Sequence, residues 1–387
     1  MTHAHGPAPT ASRRTRLSVA AVLGPAALAT LIAMIVLWPG QIRLDAPATG
    51  GDRALGTVTA VDQVTVTVRI TDGPGAGDTA TTDLPQGPGA IEVAPGDDVV
   101  LLHSPGAVPG GSPYALVDHQ RAGPMLWLLA AAVFAVLAFG RWRGLASLAG
   151  LGASFAVLLL FIIPAILDGA PPLLVAVVGA SAIMFAALYL THGFSVQTSV
   201  AVAGTVASLV LTGVLGVAFT AALHLSGVAG DDDTFLAASR GDLDMRGLLL
   251  AGIVIGALGV LDDVTVTQAA TVGELAADGE RSRWELYRAA TRIGRAHVGS
   301  AVNTLVLAYA GASLPLLLLL ATGSQPVGQL LTGEILAQEI LRSAVGTIGL
   351  VASVPITTAL AALTASPRRP AGRHSSPPVR SRRPGST

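Results

Sequence analysis

The sequence contains no cysteine and no lysine. The first absence excludes disulfides, thiolate metal sites and cysteine nucleophiles, so any domain outside the cytoplasm must hold together by its own packing. The second leaves all 23 basic residues as arginine. Charge of either sign is scarce: 12% of residues are charged, where a soluble domain carries about 25%. Net charge is −1, which leaves no overall field for nucleic acid. His-Glu-x-x-His, Gly-x-Ser-x-Gly and P-loop patterns are also missing, so a zinc protease, a serine hydrolase and an ATP-driven motor have no support. No cofactor and no metal site is expected, and the chain is not read as an enzyme.

What is present is apolar sequence, 51% of the residues with a mean hydropathy of +0.64. The charges cluster between long uncharged runs. Crossing the hydrocarbon core takes roughly 20 apolar residues, and that rule marks spans near 17–38, 124–140, 145–167, 172–191, 196–223, 247–276, 298–322 and 343–364. The second is short; the fifth and sixth are long enough to tilt or break. Arginine sets the orientation. Arg13, Arg14 and Arg16 precede the first span, Arg141 and Arg143 follow the second, Arg281–Arg295 follow the sixth and Arg368–Arg383 follow the last. With eight spans, all four groups fall on the cytoplasmic side.

The expected fold is therefore an α-helical polytopic membrane protein of about eight transmembrane helices, with a small β-rich, barrel-like extracytoplasmic domain between the first and second. Its parts are a cytoplasmic segment (1–16), a signal anchor (17–38), the β-rich domain (39–123), a seven-helix bundle (124–364) and a disordered Arg/Pro-rich cytoplasmic tail (365–387). Ser12-Arg13-Arg14 faintly resembles a secretion signal, but the apolar run after it is long for one, which favours a retained anchor. The expected location is the cell membrane, with both termini cytoplasmic.

Within 39–123, Thr57–Val61 and Val64–Ile70 alternate with period two, as half-buried strands do. Gly-Pro-Gly at 73–75 and Gln-Gly-Pro-Gly at 86–89 mark turns, and Val99–Leu102 and Tyr114–Val117 bring the strands to about five. The domain's carboxylates outnumber its arginines. That surface suits cations or an extracytoplasmic protein or small-molecule ligand, although a solvated face is the simpler reading. His-Ala-His at 3–5 reads as a floppy terminus rather than a metal site.

The sixth span carries the candidate chemistry. At 100° per residue, Asp263, Thr267, Thr271 and Glu274 lie within an arc of about 80°, close to the face of Gly252, Gly256 and Gly259. Asp262 projects away from that stripe, toward a second neighbour or across a break near Gly259. A carboxylate at mid-membrane costs about 2.5–3.5 kcal/mol even on lenient insertion scales, so the stripe reads as a proton or cation site; a structural polar bridge is the alternative. Candidate partners on the seventh span are His297, Ser300, Asn303 and Thr304, with His297 and Glu274 placed to pair near the cytoplasmic end. Pro355 is expected to kink the eighth span.

Several of these segments resemble the YibE/F-like family of bacterial membrane proteins. They are Tyr114–Arg121, Gly256–Thr265, Gln268-Ala269, Glu274-Leu275, Gly294–Val298, Val302–Pro315 and Ser353–Thr358, spread over roughly 55–365. The pattern departs at Asp262-Asp263, where a single Asp before Val is expected; Asp263 is the positional equivalent. The resemblance implies a multipass membrane protein and supplies no substrate. The expected functions are a secondary transporter or permease and, as the alternative, a receptor, sensor or assembly factor working through the β-domain. A membrane-embedded hydrolase using Asp263 with Glu274 or His297 ranks third.

Overall fold

A computed structural model describes residues 13–40, 51–104, 112–277, 281–322 and 327–365. The His-Ala-His terminus and the tail arginines lie outside the described residues. The chain forms two compact units, Arg43–Leu145 and the remainder.

The first unit is built on five antiparallel strands: β1 (Asp52–Val61), β2 (Thr65–Asp72), β3 (Thr79–Asp83), β4 (Asp98–His103) and β5 (Tyr114–His119), in the order β3-β2-β1-β4-β5. The period-two pattern explains the sheet. Val66, Val68 and Ile70 of β2 point to one side, where they meet Ala54, Val58, Val99, Leu101 and Leu116 in an apolar core. Gly56 sits at a register irregularity of β1, pressed against Val68 and the Arg69 backbone, where a side chain would not fit. The sheet curls into a half-barrel whose outer strands approach each other, the Thr82 hydroxyl of β3 donating to the Tyr114 carbonyl of β5 at 2.5 Å. The turn after β2 uses positive φ at Gly73, Gly75 and Gly77 and is pinned by the Tyr114 hydroxyl, which donates to the Pro74 carbonyl. At the end of β5, the Arg121 guanidinium, 2.6 Å from Asp118, holds that carboxyl below the usual carboxylate range.

The helices are α1 (Arg13–Val36), α2 (Ala122–Val157), a π-helical turn (Leu158–Ile162), α3 (Ile163–Leu167), α4 (Pro172–His192), α5 (Val196–Ala222), α6 (Asp231–Ser239), α7 (Met245–Ala277), α8 (Arg283–Ala312), α9 (Leu314–Thr322), α10 (Val327–Thr332) and α11 (Glu334–Thr364). Six helical stretches among the described residues are long and apolar enough to cross a membrane: Thr15–Val36, Ala122–Leu167, Pro172–His192, Val196–Ala222, Met245–Ala277 and Glu334–Thr364. Their outer faces expose large apolar side chains, among them Leu128, Phe139, Val214 and Ile348, as a lipid-facing surface does.

Two expected spans, 124–140 and 145–167, fall within one 46-residue stretch, Ala122–Leu167. A straight helix of that length would measure about 69 Å. The stretch is not straight: Arg141 is non-helical at φ 52°, ψ −128°, and Gly144 lies against the carbonyl of Val136. Residues eight apart in a straight helix are about 12 Å apart, so the chain turns back at Arg141–Gly144. The range 298–322 also differs. Its helix starts at Arg283, where Ser282 and Glu285 form a capping box (Ser282 N–H to Glu285 Oε2, 2.8 Å; Glu285 N–H to Ser282 Oγ, 3.3 Å). It ends at Ala312, and α9 resumes with Pro315, whose missing N–H suits a helix start. α11 stays helical through Pro355.

α7 is the centre of the helical unit. Val254, Ala257, Leu258, Leu261 and Val264 meet Met184 and Leu188 of α4, Val202 and Leu209 of α5, and Leu350 and Val354 of α11. Glycines let these helices close up. Gly204 of α5 faces the Thr357 side chain and Gly349 of α11 faces Thr212, in each case with no room for a Cβ. At one end the Glu334 carboxylate accepts hydrogen bonds from the backbone N–H and hydroxyl of Ser226 and from Gln338 Nε2, tying the start of α11 to the chain leaving α5.

Candidate functional site

The site grows from the middle of α7, an unbroken helix through Gly259. Adjacent residues on a helix project about 100° apart, so Asp262 and Asp263 face different surroundings. Asp262 is half-buried, and its Oδ1 is buried with no hydrogen-bond partner among the described residues. Asp263 is exposed. The glycine stripe lies with Asp263 on the outer face: Gly252, Gly256, Gly259 and Glu274 are exposed, and among the described residues Gly256 is the one of these glycines approached, by the Tyr309 hydroxyl of α8.

The inward face carries polar groups instead. Thr265, fully buried, has its hydroxyl 2.7 Å from that of Thr205 on α5 and 3.1 Å from the Asp262 carbonyl. One turn on, buried Gln268 donates through Nε2 to the Ala290 carbonyl of α8 (2.9 Å) and the Thr358 hydroxyl of α11 (2.7 Å). Gly294 makes room for that amide, since a Cβ there would collide with Gln268 and Val354. Gln268 thus joins three helices through one side chain. With Thr205–Thr265 it forms a polar seam beginning beside Asp262.

The other residues singled out from the sequence are placed apart from this seam. Thr267 and Thr271 are half-buried, and the Thr271 hydroxyl returns to the Thr267 carbonyl of its own helix. His297, Ser300, Asn303 and Thr304 are exposed on α8, the Thr304 hydroxyl donating to the Ser300 carbonyl. Glu274 and His297 form no ion pair, and no cluster of three metal-ligating side chains exists, among the described residues. Sequence reasoning passed over Thr205, Thr265, Gln268 and Thr358 as site residues. The available signal was an uncharged amide inside an apolar run: Gln268 is too polar to face lipid alone and too bulky for the glycine-lined face.

Residues 128–367, more than half of the chain, match the family model described as YibE/F-like protein. The chain belongs to that family. No curated protein and no solved structure matches the chain significantly.

Proposed function

We propose that this YibE/F-like protein is a secondary transporter of a proton or small cation, with eight spans, both termini cytoplasmic and the half-barrel outside the cell membrane. One observation carries the reading: a carboxylate oxygen of Asp262 is buried near the middle of an apolar helix with no hydrogen-bond partner among the described residues. Buried polar atoms are nearly always hydrogen-bonded, and an orphan carboxylate oxygen calls for a proton or a cation. The arginine distribution supports the eight-span count, as does the turn at Arg141–Gly144, which divides Ala122–Leu167 into two arms. The seam of Thr205, Thr265 and Gln268 serves in this reading to hold α5, α8 and α11 against the acid.

The test is flux in proteoliposomes holding the full chain and a pH-sensitive dye, under imposed pH, sodium or potassium gradients. The wild type is expected to move at least one ion. Asp262→Asn, which keeps the shape and removes the charge, is expected to abolish that movement while the protein stays folded and inserted. Asp263→Asn is expected to reduce it less. Undiminished flux in Asp262→Asn overturns the reading. The second reading, a receptor, sensor or assembly factor, is favoured by the half-barrel having its own core and a shallow cleft of about 430 Å³ beside Leu84–Gly87 and Ala90–Val93. It predicts that function survives Asp262→Asn and is lost when residues 51–119 are deleted.

A further inference from the structure

A cavity of about 670 Å³ lies away from α7, between α1, α4 and α5. On α1 it is lined by Arg16, Val19, Leu23 and Ala27, among others. These recur at helical spacing, so a single face of α1 forms the wall. From Arg16 to Ala27 the helix rises about 16 Å, half of a hydrocarbon core about 30 Å thick. The groove is one leaflet deep.

Its two ends differ chemically. α1 runs antiparallel to α4, because Ala33, Met34 and Leu37 pack with Val175 and Val178 near the start of α4. The Arg16 end therefore meets the junction of α4 and α5, where Ser195 and Gln197 line the cavity. α5 begins there. Ser195 Oγ accepts the Thr198 N–H, and the first-turn amides of Val196 and Gln197 have no intrahelical acceptor. Arg16 makes no ion pair with any described carboxylate. An arginine and the positive end of a 27-residue helix thus converge. An aromatic wall leads away from that end: Phe194, next to Ser195, Tyr189 and Phe185 stack in series, with ring centroids 4.6 and 6.4 Å apart. On the opposite wall, Gly24 has nothing within 4 Å of where a Cβ would sit.

We propose that this groove is a binding site for one anionic glycerophospholipid of the leaflet in which Arg16 lies, with the phosphate at Arg16 and the α5 N-terminus and an acyl chain along Leu23, Gly24 and Ala27. The depth matches one acyl layer and the charge lies only at the headgroup end. A soluble anion would use the mouth of the groove and leave the apolar length empty.

The full chain, delipidated in detergent, is titrated with fluorescent phosphatidylglycerol, with phosphatidylcholine and inorganic phosphate as competitors. Phosphatidylglycerol is expected to bind about tenfold tighter than phosphatidylcholine, the preference that one arginine and one helix terminus supply. Millimolar phosphate is expected not to displace it. Arg16→Gln should bring the two lipids within about twofold of each other, and Gly24→Trp should weaken both by tenfold or more. Gly24→Leu is the milder plug, and leucine is the better helix former. Gly152→Trp is the control: Gly152 of α2 also has open space around it and does not line this groove, so binding there should match wild type. The proposal is overturned if folded Gly24→Trp or Gly24→Leu binds phosphatidylglycerol like wild type, if the wild type does not distinguish the two lipids, or if phosphate displaces the lipid.

Discussion

The half-barrel and the helical unit bury different kinds of side chain. In the half-barrel the core is Ala54, Val58, Val66, Val68, Ile70, Val99, Leu101 and Leu116, with Thr82 as the buried polar residue. In the helical unit Thr205, Ser208, Thr212, Thr265, Gln268, Ser353, Thr357 and Thr358 are all buried. The solvent explains the difference. In water, removing apolar surface drives folding. Between helices in lipid that drive is lost, because the surroundings are as apolar as leucine, and close backbone approach with hydrogen bonds takes over. The hydroxyls are mostly satisfied within their own helices: Ser208 donates to the Gly204 carbonyl, Thr212 to Ser208 and Thr358 to Val354. Thr212 faces Gly349 and Thr357 faces Gly204, so small hydroxyl side chains fill the space the glycines leave.

Three substitutions or conditions test that contrast. The largest effect is expected from Leu101→Ala, which empties the half-barrel core and costs about 2–5 kcal/mol. Limited proteolysis should show residues 51–119 opening while helical circular dichroism in detergent is kept. Gly204→Leu does the reverse: it forces α5 from Thr357 of α11 and costs about 1–3 kcal/mol. The detergent melting temperature of the helices should fall and protease resistance of the half-barrel should not; equal loss in both units would break the comparison. The smallest effect concerns pH. The Arg121 hydrogen bond lowers the Asp118 carboxyl, so its contribution is present above the unfolded value of about 3.9 and is lost as pH falls through the lower folded value. Stability of the half-barrel should be flat from pH 5 to 8 for this pair, and Asp118→Asn should remove only the part of the acid-limb slope below pH 4.

Much of this architecture was legible. Period-two alternation marked Val66, Val68 and Ile70, and Gly-Pro-Gly marked the turn after β2, because a half-buried sheet in water must alternate. The long apolar helices were legible from length alone. The orientation of α7 was not. Its Gly252–Glu274 stripe reads as a packing face, yet the structure packs Leu261, Val264, Thr265 and Gln268 and exposes the stripe. In a helix apolar on every side, periodicity cannot separate a lipid-facing surface from a protein-facing one. The helical approach to the range 298–322 was also hidden, since Arg283–Arg295 reads as a charged loop until the Ser282–Glu285 capping box is seen to start a helix there. The Gln268 bonds were hidden for a different reason, because their partners lie far away in sequence.

That separation sets a timetable for the ribosome. Gln268 and Thr358 are 90 residues apart, and at about 5–20 residues per second the threonine emerges roughly 5–18 s after the glutamine. Through that interval α7 carries an amide whose final acceptor has not been made, next to two carboxylates. The helix is thus born before the neighbour that completes it, and the insertion machinery or α5, already synthesised, must shelter it until α11 arrives.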